Sequence, residues 1–172
     1  QGVGTFVSEP KGQSALFEVR SIADEIISRR HQHRCEVLLL EETEADLIQS
    51  AALNVAEGTR IFHSLMVHFE NDIPVQIEDR CVNAAVVPAY LHQDYTVTTP
   101  HDYLSLIAPL TEGEHIVEAV QASAKECELL HIHAHDPCLL IRRRTWSTTH
   151  IVSHARLLFP GSRYRLQGHF TS

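Results

Sequence analysis

The sequence has no apolar run long enough to cross a bilayer; its longest stretches, such as Cys35 to Leu40 with only Glu36 polar, are of strand length. Cysteine is sparse. Cys35, Cys81, Cys127 and Cys138 stand far apart, without the close pair that a zinc ribbon or a redox motif needs, so a reduced, cytoplasmic protein is expected. Basic charge is short as well: 14 Lys plus Arg against 22 Asp plus Glu leave a net charge of −8, which argues against a broad phosphate-gripping face on this segment. If DNA is bound, another domain binds it. Also missing are a nucleophile elbow, a phosphate-cradling glycine loop, a metalloprotease helix and a cysteine with an obvious partner, so the motifs lend catalysis no support. Repeats and low-complexity tracts are absent. No basic segment followed by an apolar stretch opens the chain, and a start at Gln1 suggests a piece of a longer protein.

What is present is enough for one core: 172 residues, 44% of them hydrophobic. Residues 1–13 read as a leader or linker. Ser21 is a good N-cap for a helix over Ser21–Arg30, with Asp24 placed to answer it. A strand over Cys35–Glu42 and a helix over Glu44–Asn54 follow. Thr59–Phe69 and Ile73–Val82 flank Glu70-Asn71-Asp72 and alternate in character, the clearest hairpin in the chain. Pro100–Ala108 reads as a helix, His115–Ala122 as extended, and Lys125–His131 as a short helix. Leu139–Ser147, His150–Phe159 and Tyr164–Phe170 read as three strands of a meander. This order predicts an α+β domain, a mainly antiparallel sheet with helices packed on one face.

Two groups of side chains invite chemistry. Among thirteen histidines, His31 with His33, and His131, His133 and His135 before Asp136, could serve a metal-responsive regulator; the ordinary reading is exposed polar residues at a helix-to-strand crossing. In the hairpin, parity places Val75, Ile77 and Cys81 on one face and Gln76, Glu78 and Arg80 on the other, while Ser64, Met66 and His68 share a parity in the preceding strand. That polar face is either solvated, with Glu78 and Arg80 as an exposed ion pair, or the floor of a ligand pocket. Arg20 and Ser21 at the first helix N-terminus suit a ligand carboxylate, although Ser21 alone is more often merely a cap.

Several stretches resemble known regulators. Gly2-Val-Gly-Thr-Phe-Val-Ser8 is similar to the end of the wing in a winged helix-turn-helix repressor of the GntR type. Glu70-Asn-Asp-Ile-Pro-Val-Gln-Ile-Glu78, Pro137-Cys-Leu-Leu-Ile-Arg-Arg143 and Gly161-Ser-Arg-Tyr-Arg165 resemble the UTRA family of effector-binding domains. Within that family, Val19 to Ile26, Glu78 to Asn83 and Arg143 to Ser147 look like the branch that represses histidine-breakdown genes in response to urocanate. The resemblance implies a wing end and linker over 1–13 and a UTRA domain over 14–172. It further implies a chorismate-lyase-like fold, a homodimer, no cofactor, and operator DNA bound through a domain absent from this chain.

It also implies site residues. Relatives that bind phosphosugars carry two arginines at the places of Met66 and His68, and their absence here favours a flat heteroaromatic ligand over a phosphate. Glu78 matches a ligand-contacting glutamate, Ser21 a first-helix contact, and Tyr103 lies in the helix that closes the pocket. The expected ligand set is Arg20, Ser21, Met66, His68, Glu78, Arg80 and Tyr103, around urocanate or a close imidazole acid. An enzyme of the same fold acting on a small aromatic acid is the competing expectation.

Overall fold

The structure, a computed structural model, describes residues 12–15 and 20–168. The leader predicted over 1–13 therefore lies, apart from Gly12 and Gln13, outside the described residues. The elements are β1 (Gly12–Ala15), α1 (Ile22–Ser28), β2 (His33–Glu44), α2 (Leu47–Leu53), β3 (Arg60–Glu70), β4 (Ile73–Asn83), α3 (Pro100–Ile107), β5 (Glu112–Gln121), α4 (Ala124–Leu130), β6 (Pro137–Ser147), β7 (His150–Pro160) and β8 (Tyr164–Gln167), with a 3-10 turn at Tyr90–His92. Six strands form one antiparallel sheet in the order β2-β3-β4-β7-β6-β5. The α+β class with its antiparallel sheet is as the sequence predicts.

Local chemistry sets most boundaries. Asn71 and Asp72 take φ of 48° and 65°, the positive pair that a two-residue hairpin turn between right-twisted strands requires. Glu44, expected to open a helix, ends β2 instead, because Asp46 caps α2: its carboxylate accepts from Gln49 N at 2.7 Å and Gln49 Oε1 accepts from Asp46 N at 3.0 Å. Ser123 and Glu126 make the same box at α4. At the far end of α4, Arg163 donates to the carbonyls of Leu130 and Pro74, both at 2.6 Å, and of His131 at 3.0 Å. Nearby Gly161 is required because a Cβ there would stand 2.8 Å from the Pro137 carbonyl oxygen.

Three expectations need correction. Tyr164–Gln167 does not extend the β6–β7 meander, since β7 already has β4 and β6 as neighbours and leaves no edge; β8 pairs parallel with β1 in a separate two-stranded sheet. The predicted extension to Phe170 falls partly outside the described residues. Helices flank both faces of the sheet rather than one: α2 packs on Ile61, Cys81 and Ile151, and α4 on Val67, Ile77 and Leu158. The opposite face carries Phe62, Met66 and Val82 under Tyr90, Tyr95 and α3, and Ile141, Leu157 and Phe159 under α1. Val75 leaves the parity of Ile77 and Cys81, because a bulge sets it between the pairs Phe69–Pro74 and His68–Gln76 and turns it toward Ile22 and Ile26.

Covering both faces has a consequence for the hairpin. Along β4 the residues Pro74 to Asn83 are buried except for the half-buried Asp79, so the polar parity of the strand is not a solvated surface.

Candidate functional site

The register builds a polar floor on the α1/α3 face. Ser64, Met66 and His68 on β3 stand directly across from Arg80, Glu78 and Gln76 on β4. On the far side of β4, Arg80 faces Ala155 of β7, which in turn faces Arg143 of β6. Two guanidinium-bearing residues thus lie two strands apart, about 10 Å between backbones, with only a methyl group between them. The space above them is a narrow cleft, whose empty space comes to about 350 Å³ when the gaps between atoms and the open solvent at its mouth are counted. Gln76, Glu78, Arg80 and Arg143 form its polar lining, Leu157, Phe159 and Tyr164 its apolar wall, and Arg20, Ile22 and Glu25 close it from the α1 side, with Thr99 and His101 from α3. Phe159 and Tyr164 stack at 3.8 Å between centroids, a flat aromatic surface.

The charges are held in a network. Arg80 Nε donates to Glu78 Oε1 at 2.7 Å and its Nη1 to Ser153 Oγ at 2.7 Å; Ser153 Oγ lies 2.9 Å from Thr145 Oγ1. Burial pushes the Glu78 carboxyl up, but the Arg80 charge and His68 outweigh it and hold it well below the usual carboxylate range. Arg143 is placed differently. It is 9% exposed, and its Nε donates to His115 Nε2 at 2.8 Å, which fixes that imidazole as neutral with its hydrogen on Nδ1. Among the described residues no carboxylate lies within ion-pair distance of it, and burial together with the nearby Arg80 charge pulls its pKa down to about 10. Such a group remains cationic at neutral pH and is stabilised by any anion that enters. Burial, Arg80 and Arg143 likewise lower His101, keeping it neutral. Gln76 Oε1 is buried with no donor among the described residues.

Of the residues predicted from sequence, the structure brings Arg20, Glu78 and Arg80 together in this pocket. Four others are outside its lining. Ser21 is buried and makes no cap bond to its own helix; its hydroxyl lies 3.1 Å from Thr99 Oγ1 and donates to Asp102 Oδ2 at 3.0 Å, tying α1 to α3. The sequence missed that partner because it lies 78 residues away. Met66, fully buried, packs with Tyr90, Tyr95 and Tyr103, and Tyr103 belongs to that aromatic cluster at 6.4 Å from each of the other two rings. His68 lies behind the floor, with Nε2 3.5 Å from Glu78 Oε2.

Sequence reasoning did not select Arg143, His101, Phe159 or Tyr164. Arg143 is the middle of three consecutive arginines. Its neighbours point to the other face, where Arg142 donates to Glu118 at 2.7 Å and Arg144 pairs with Glu114 at 3.4 Å across to β5. Parity separates the three; only knowledge of the covering layers says which parity is inside. Of the histidines, His31 pairs with Glu70 at 2.6 Å, His131 takes a left-handed conformation at the end of α4, and His133 and His135 lie exposed in the following loop rather than along a strand. Among the described residues no cluster of three or more His, Cys, Asp or Glu could hold a metal ion.

Known proteins agree with this architecture. Residues 28–165 match the UTRA domain family. The histidine utilization repressor of Klebsiella aerogenes is 88% identical over 172 residues, covering 100% of this chain and 71% of that protein, and its counterpart from Pseudomonas aeruginosa is 65% identical, covering 100% and 69%. The crystal structure of the C-terminal domain of the histidine utilization repressor from Pseudomonas syringae pv. tomato superposes with a TM-score of 0.79 at 62% identity, over 82% of this chain and 100% of that one. PhnF of Mycobacterium smegmatis shares the fold, with a TM-score of 0.85 at 18% identity over 95% of this chain and 73% of that one. The histidine utilization repressors among them are regulators, and no helix among the described residues is long and apolar enough to cross a membrane. The chain belongs to the UTRA family, in the group of GntR-type histidine utilization repressors.

Proposed function

We propose that this chain is the effector-sensing and dimerising part of a repressor, that its pocket takes urocanate or a close imidazole acid, and that occupancy lowers operator affinity of a DNA-binding domain outside this chain. The observation that carries the reading is the pairing, in one pocket, of a buried arginine lacking a carboxylate partner with a buried amide oxygen lacking a donor, both among the described residues. An imidazole acid supplies both complements. Its carboxylate neutralises Arg143, with Arg20 at the mouth, and a ring N–H is given to Gln76 Oε1 or to Glu78. The ring lies against Phe159 and Tyr164. Arg80 is committed to Glu78 and Ser153, so it acts on the ligand through its charge. Ligand and operator then oppose one another if the ligand prefers one placement of the two domains of the dimer.

Calorimetry with urocanate, imidazole propionate and histidine tests the pocket. Histidine should bind far more weakly than urocanate, because its α-ammonium would be stripped of water beside Arg20, Arg80 and Arg143. Arg143→Met should lower urocanate affinity by about a hundredfold, the worth of a charge-assisted bond, while leaving the domain folded. Equal binding of histidine, or unchanged affinity in the variant, would sink the assignment. Light scattering should give a dimer mass, and the chain alone should not shift operator DNA.

A further inference from the structure

The edge strand β5 treats the three consecutive arginines of β6 in two ways. On one face it supplies glutamates: Arg142 donates to Glu118 at 2.7 Å, and Arg144 lies 3.4 Å from Glu114. On the pocket face it supplies an imidazole. His115 stands directly across from Arg143, whose Nε donates to His115 Nε2 at 2.8 Å. From Glu112 to Ala119 every residue of β5 is exposed except His115, which is half-buried where it meets Arg143.

A guanidinium offers a carboxylate two edges, one made of Nε with a terminal nitrogen and one made of the two terminal nitrogens. His115 occupies the first. It does not line the pocket and so holds Arg143 from behind, while Nη1 and Nη2 make no hydrogen bond among the described residues and form the edge left for a ligand. An imidazole nitrogen that accepts from a guanidinium carries no proton, so it fixes direction and cancels no charge. A glutamate in its place would fix direction too, but would leave an entering anion nothing to neutralise.

We propose that His115 is a positioning residue of the effector site: it turns Arg143 so that Nη1 and Nη2 grip the effector carboxylate end-on, and as a neutral acceptor it leaves the charge of Arg143 for that anion. The role rests on the pocket being the effector site. It carries that site one strand beyond the residues that touch the ligand, out to the edge of the sheet.

Three variants of the 172-residue chain separate direction from charge, with urocanate as the probe in calorimetry. His115→Gln keeps a neutral acceptor and should bind like the native chain. His115→Leu removes the acceptor, and affinity should fall about tenfold, the worth of one bond to a charged group. His115→Glu offers the stronger acceptor yet neutralises Arg143 in place of the ligand, so it should lose as much affinity as Arg143→Met. A merely structural His115 would not part Gln from Glu, which are alike in size. Nitrogen NMR of the native chain at neutral pH reads the contact directly: Nε2 of His115 should be bare and Nδ1 protonated, and this reading decides if His115→Leu does not fold. Glu binding as tightly as Gln, Leu binding like the native chain, or a proton on Nε2 overturns the role of His115 alone. No urocanate binding by the native chain sinks the effector reading and this role with it.

Discussion

The two faces of the central sheet are covered equally well but made of different material. Under α2 and α4 lie Ile61, Val67, Phe69, Ile77, Cys81, Leu140 and Leu158, a conventional apolar core. Under α1 and α3, the same strands bury Ser64, His68, Gln76, Glu78, Arg80, Arg143, Thr145 and Ser153. The first arrangement stabilises by removing apolar area from water. The second costs desolvation and returns it only where every group finds a partner, which is why we propose it as the face that takes the ligand. Gln76 Oε1, which lacks a donor among the described residues, is where a ligand would complete the proposed network.

The largest expected effect breaks the polar face from within. Glu78→Gln leaves the Arg80 charge buried without its counter-ion and should cost about 3–5 kcal/mol in urea unfolding. Pairing it with Arg80→Met should recover most of that loss, whereas an additive double variant would show that the network carries no coupling. Urocanate binding should remain weak in the double variant even where stability returns.

On the apolar face, Leu158→Ala should cost about 3 kcal/mol through the cavity it opens, with urocanate affinity unchanged once the domain is folded. A large change in affinity would mean that the two faces are not independent.

A smaller effect separates the faces by pH. His68 is raised to about 9 from 6.5, so its stabilisation is complete below pH 6.5 and lost as pH climbs toward 9. His33 is lowered to about 4, and His101 and His154 are lowered as well, so the unfolded chain takes those protons first and stability also declines as pH falls below 6.5. Glu78, Glu70 and Glu126, held below their ordinary range, add to the acid-side loss as pH falls through the carboxylate region. Stability measured by urea titration across this range should peak near pH 6.5; a flat profile would contradict the buried proton on His68. Smallest is Asp46→Ala, which removes a cap outside both faces and should cost about 1 kcal/mol without touching binding.

The β3–β4 hairpin was the most legible part of the chain, because alternation and a two-residue turn are set by neighbours in sequence. The same alternation placed Gln76, Glu78 and Arg80 together but left open whether water or protein covered them. Met66 and Tyr103, expected at the ligand, belong instead to one buried cluster with Tyr90 and Tyr95, which come from a connection with no sequence signal of its own. Arg143 was hidden between Arg142 and Arg144 for the same reason: three identical side chains differ only in what lies above each.

The sequence by itself determined the class of fold, the hairpin turn, most of the strands and helices, and the motifs that tie the chain to its family. All of these rest on interactions within a few residues or on the period of the backbone. Tertiary structure alone decided that helices cover both faces, that β8 leaves the meander for β1, that a bulge turns Val75 inward, and that Arg143 enters the pocket. Periodicity fixes which residues share a face. What packs on that face, and so whether a buried charge meets an ion partner or waits for a ligand, depends on contacts between residues far apart in the chain.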